Sequence, residues 1–208
     1  MELSDSEAAT ATVPTPGRSL FVGAVGFCLA SLVVFATVAF AERWMYARLG
    51  LAGAYAAWTV LFILLGGAAL RPLVLVQEAK WAGWRFFVLF ALAFFVYAAG
   101  WIGAYFSLRG TALGEWAGSL VGSVLMGLVF AAGFGVLRVA VPPIIVLFIA
   151  NSIGYFCGSW LNGTFGGKAG MLLWGGVYGL CLGAGLGATL FLVQTAKTRT
   201  TARSASPH

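Results

Sequence analysis

Apolar residues fill most of the chain in long stretches, and charged residues fall almost entirely between them. An α-helix of roughly 20 apolar residues matches the ~30 Å hydrocarbon core of a bilayer. Such stretches are legible at 20–41, 51–70, 86–106, 116–137, 144–161 and 171–194. In lipid, backbone N–H and C=O groups have no water to bond, so each stretch is expected to be helical whatever its propensities. The pattern therefore predicts an all-α, polytopic membrane protein with six transmembrane helices in one bundle.

The breaks between stretches carry their own signals. Residues 42–50 place Trp44 and Tyr46 where an aromatic belt meets water. Arg71-Pro72 ends the second stretch with a charge and a helix breaker. Residues 72–85 are amphipathic, with Glu78, Lys80, Trp81, Trp84 and Arg85 among valines and leucines, and predict an interfacial helix facing lipid head groups. Arg109-Gly110 marks the next loop. Arg138 and Pro142-Pro143 mark the one after, and residues 162–170 form a glycine-rich turn. Residues 1–19 read as a disordered polar tail, and 195–208 as a basic one.

The last apolar stretch has a second period. Gly175, Gly179, Gly183 and Gly187 recur every fourth residue, so on a helix they make one groove nearly free of side chains. Small residues at this spacing let a second backbone come close. The even-numbered stretches also open near Ala-Gly pairs, at Ala52-Gly53, Ala117-Gly118 and Ala169-Gly170, a pattern that a threefold hairpin duplication would leave.

Composition sharpens the membrane reading. Hydrophobic residues make up 61% of the 208 and charged residues 9%, with a mean hydropathy of +0.97. Soluble domains carry about 25% charged residues. The net charge of +6 is then a topology signal and not a nucleic-acid one. Arg18, Arg71, Lys80, Arg85, Arg138, Lys197, Arg199 and Arg203 fall on the side of the two tails, against Arg43, Arg48, Arg109 and Lys168 on the other. Eight against four places both termini in the cytoplasm of a cell (inner) membrane protein, with membrane lipids as its surroundings.

Candidate chemistry is sparse. Cys28, Cys157 and Cys181 lie within the stretches without CxxC or metal-ligand spacing, and the lone histidine is His208. No serine has a histidine partner, and no phosphate loop is present. No cofactor or metal is expected, and an enzyme is the lesser expectation. Outside the first 19 residues the acids are Glu42, Glu78 and Glu115, none within a stretch, so a carboxylate proton relay has no member.

The polar residues of the fifth stretch stand out. On a helical wheel Asn151, Ser152, Tyr155, Ser159 and Asn162 fit an arc of roughly 100°. The stripe runs from mid-membrane to the non-tail end, with apolar Ile144 and Phe148 below it. Two functions follow. One is a small channel or transporter for an uncharged or weakly polar solute, with this stripe lining a vestibule closed by Phe148. The other is a non-catalytic subunit whose glycine groove docks a second copy or another chain of a membrane complex. Interhelical hydrogen bonding is the structural use of the same stripe.

Overall fold

The computed structural model describes residues 13–75 and 83–204, with side chains to 202. Among them there is no strand, and five helices are long and apolar enough to cross a membrane. They are α1 (Pro16–Leu70), α2 (Trp84–Ser107), α3 (Ala112–Gly133), α4 (Val141–Phe165) and α5 (Gly167–Ser204). Short 3-10 turns at Arg71–Leu73 and Leu137–Val139 follow α1 and α3.

The count of five hides a sixth arm. At Gly50 the backbone leaves helical geometry with φ 67 and ψ 178, a left-handed φ that glycine adopts without steric cost. The two halves of α1 fold back on each other there. Phe27 meets Phe62 with ring centroids 6.0 Å apart, Phe35 meets the same ring at 6.4 Å, and Gly26 lies against Ala69. We call residues 16–49 the first arm and 51–70 the second. Each remaining break also reverses the chain, so the arms run up and down. One end of the bundle collects the start of the first arm, the described end of α5, the Arg71–Leu73 turn and the break after α3. The other collects Gly50, Gly110 and Gly166. We call these the tail end and the turn end.

The arms close into a ring. Each packs on the next in sequence, and α5 returns to the first arm in one of the largest contacts of the fold. That contact is where the glycine groove goes. Gly187, Gly183, Gly179 and Gly175 face Ser19, Gly23, Ser31 and Phe35, so two every-fourth-residue stripes meet antiparallel. The approach is close enough for side chain to bond backbone: Ser31 Oγ donates to the Gly175 carbonyl at 2.7 Å and Cys28 Sγ to the Gly176 carbonyl at 3.3 Å. The groove expected to dock a partner is thus filled by the chain's own first arm. The Ala-Gly pairs serve unlike purposes: Gly53 touches only Leu49, Gly118 lies on Trp101, and Gly170 lies on Asn162.

The ring is filled differently along its length. In the tail half Phe27, Phe86, Phe90, Met126, Phe130, Leu186 and Leu190 form a core without solvent access. Around the outside, large apolar side chains stay exposed on every arm, among them Phe21, Leu51, Phe95, Leu113, Ile149 and Leu180. A soluble protein would bury such surface; a bilayer would cover it, as expected for an integral, multi-pass membrane protein.

Several boundaries differ from the sequence reading. Residues 42–49 and 162–165 are helical, and α3 ends at Gly133 and not at 137. The first helix starts at Pro16, with the Thr15 hydroxyl accepting from the Arg18 N–H at 3.4 Å, so part of the expected tail is helical. Helix α5 continues through the basic segment to Ser204. Trp84 and Arg85 belong to the first turn of α2 and not to a separate interfacial helix, whereas Glu78, Lys80 and Trp81 lie outside the described residues. Gln194 accounts for part of the altered geometry. It is buried, accepts from the Leu75 N–H at 2.8 Å and donates to the Leu73 carbonyl at 2.9 Å, so it holds the segment leaving the second arm against α5.

Candidate functional site

The polar stripe of α4 divides in two. Its deeper residues are locked into a buried knot. Asn151, with no solvent exposure, accepts from the Tyr97 hydroxyl at 2.6 Å and donates through Nδ2 to Ser119 Oγ at 2.8 Å. Ser119 and Ser152 share a hydrogen bond of 2.7 Å, and the Tyr97 and Tyr178 hydroxyls share one of 3.1 Å. Four helices, α2 to α5, meet at this knot. Glycine sets its dimensions: Gly122 lets α3 lie on the Tyr97 ring, and Gly154 lets α4 lie on the Tyr178 backbone. For Asn151 and Ser152, then, the interhelical hydrogen-bonding use of the stripe is the one realised.

Toward the turn end the stripe opens. Tyr155 donates to Glu115 Oε1 at 3.2 Å and turns its ring toward Trp101 and Trp174. These rings, with Phe35, Tyr97 and Tyr178, line a pocket of about 220 Å³. That is below the ~300 Å³ at which drug-sized sites begin, so only a small solute fits. Its walls are mostly aromatic, completed by Ala98 and Ile102, and Tyr97, Tyr155 and Tyr178 are among the residues that line it. Trp101, one of the walls, carries a buried indole N–H with no partner among the described residues. A buried donor left open costs about 1–3 kcal/mol unless something accepts from it.

A second cavity of about 620 Å³ lies at the turn end of the same interface between the first arm, α4 and α5. It is polar, with Glu42, Arg43, Asn162 and Lys168 in its lining. Phe35 and Trp174 line the inner pocket, while Val38 and Met171, one helical turn further on, line the outer one. The two cavities therefore follow each other along one seam. The Phe35 and Trp174 rings, with centroids 5.8 Å apart, line the inner pocket on its first-arm and α5 sides. Trp174 sits on the bare backbone of Gly158, which fixes how far the ring reaches across.

Of the predicted path residues, Asn162 lines the outer cavity and Tyr155 the inner pocket. Ser159 is half-buried between them on α4. Phe148 is not the closure. Its ring packs beside Trp116, which is 48% exposed on the outside of the bundle. The floor is the knot, with the aromatic core of the tail half behind it. Glu42 and Glu115 have separate surroundings, the outer cavity and Tyr155, and make no catalytic pair. Among the described residues no group of His, Cys, Asp and Glu is arranged to hold a metal.

Sequence reasoning missed Tyr97, Trp101, Trp174 and Tyr178. All four sit on apolar helices where an aromatic reads as lipid-facing or core. Ser119 sits among the small residues Gly118, Gly122 and Ser123 of α3, a setting that carries no chemical signal. The one signal was Tyr97, a tyrosine midway along the phenylalanine-rich helix α2. Compared with protein-family models, curated proteins and solved structures, the chain matches none of them.

Proposed function

We infer that this membrane protein is a small channel or transporter that takes up an uncharged or weakly polar solute from its turn end. The observation that carries this reading is the pair of cavities in series, polar outside and aromatic inside, ending at a hydrogen-bonded floor. A solute leaving water first meets Asn162, Glu42 and Lys168. It then passes Phe35 and Trp174 into a site with mostly aromatic walls, Tyr97, Tyr155 and Tyr178 among them. A bare ion is disfavoured there, because the described walls hold no formal charge to replace its hydration. Passage beyond Asn151 requires the knot to open, so the arrangement corresponds to one end of an access cycle. The subunit reading loses its docking groove to the first arm.

The test is thiol accessibility in a chain with Cys28, Cys157 and Cys181 replaced. Met171→Cys reacts rapidly with a membrane-impermeant maleimide added from the turn end. Ala98→Cys, in the wall of the inner pocket, reacts more slowly, faster when Trp174→Ala is added, and more slowly again with indole present as a probe solute. Asn151→Cys stays unmodified. If Ala98→Cys is protected with and without Trp174 in folded protein, the seam is not a path.

Orientation belongs to the same reading. The excess of Lys and Arg at the tail end puts both termini in the cytoplasm and the outer cavity outside, in the inner membrane of a cell. A fluorescent reporter active only in the cytoplasm, fused after His208, is then bright, and an alkaline phosphatase fusion at that point is inactive. The reverse pair of signals turns the path around.

A further inference from the structure

At the tail end, the turn from α3 into α4 and the last turns of α5 frame a groove of about 740 Å³. Its cationic lining comes from both sides. Gly135, at φ 73, turns the chain out of α3, and the following 3-10 turn presents Arg138. Opposite it, α5 runs past its apolar stretch and presents Arg199. Both side chains are exposed. The described acids, Glu42 and Glu115, belong to the turn end, so neither arginine has a carboxylate partner among the described residues.

The groove is also open to lipid. Leu137 and Val139, flanking Arg138, are 57% and 41% exposed. Val141, Ile145, Ile149 and Ile153 carry that apolar surface along α4 toward mid-membrane. Two guanidinium groups thus stand at the head of an apolar ladder. A guanidinium offers paired N–H donors that match two phosphate oxygens, and the start of α4 adds the positive end of a helix dipole. By contrast, Arg43 at the turn end shares its cavity with Glu42.

We propose that this groove is a site for a phosphate ester, occupied by the headgroup of one anionic phospholipid whose acyl chains lie along the exposed face of α4. The apolar ladder is what selects a lipid over free phosphate. A bound headgroup ties the α3–α4 turn to the C-terminal extension of α5, two segments otherwise at the margin of the bundle. The site is independent of the solute path, which lies at the other end.

Native mass spectrometry of the full chain in neutral detergent, with equal phosphatidylglycerol and phosphatidylcholine, tests this. Retention favours phosphatidylglycerol by roughly fivefold or more, and Arg138→Gln/Arg199→Gln lowers it by about tenfold. Arg48→Gln/Arg109→Gln, at the turn end, leaves it unchanged. Arg199→Lys falls between, because it keeps the charge and loses the fork. Wild-type preference declines as salt is raised, a readout that needs no variant to fold. Inorganic phosphate in millimolar excess fails to displace the lipid. Equal retention of the two lipids, or equal loss in the turn-end variant, overturns the site. Full displacement by phosphate overturns the lipid assignment.

Discussion

Gly183→Leu yields about a tenth or less of the folded, monodisperse protein that the wild-type chain gives in mild detergent. At this position even a methyl group meets the Gly23 carbonyl oxygen and the Phe27 Cβ. Overpacking commonly costs about 1–3 kcal/mol when flexible side chains absorb it. Here the obstacle is backbone, so the first arm and α5 have to separate as units. Separation also weakens the bonds from Ser31 and Cys28 to the α5 carbonyls. Gly183→Ala falls between the two, since one carbon already intrudes. Leu180→Ala is the matched control, because that side chain is 50% exposed to lipid. Cys181, although it points away from the glycine stripe, packs against Gly154 of α4 and is no neutral site. Yields are compared by size exclusion after identical extraction. If Gly183→Leu and Leu180→Ala recover alike, the close approach of first arm and α5 is not what holds the bundle.

Asn151→Leu has the second largest effect expected, a loss of roughly 1–3 kcal/mol, seen as a fall of about 2–10 °C in the melting temperature in detergent. The amide serves two helices at once, accepting from Tyr97 and donating to Ser119. Leucine fills its space and offers neither bond. The loss is bounded because Tyr97 keeps Tyr178, and Ser119 keeps Ser152. Tyr97→Phe alone costs less, about 1 kcal/mol, since Asn151 retains its serine. In the double variant the two losses do not add, and the coupling exceeds about 0.5 kcal/mol. Strict additivity, measured by thermal melts of the four proteins, breaks the knot into unrelated contacts and removes the floor from the proposed path.

Much of the architecture was legible because lipid makes the code simple. Six apolar stretches separated by charge can only be helices where water is absent, and their lengths fit one crossing each. Gly175, Gly179, Gly183 and Gly187 announced a close helix contact by spacing alone, since period four defines a face before any partner is known. The α4 stripe was visible on the same ground. What the spacing left open is which backbone fills the groove and what the stripe bonds to. Ser19, Gly23, Ser31 and Phe35 lie more than a hundred residues from the glycines they meet, and only the closing of the ring brings them together. Tyr97, Ser119 and Tyr178 carry no common period with Asn151, because hydrogen-bond partners across helices are fixed by rotation and depth, which hydropathy does not encode. The same holds for the Phe35–Trp174 ring contact, where the bare backbone of Gly158 decides how far a distant tryptophan reaches into the inner pocket.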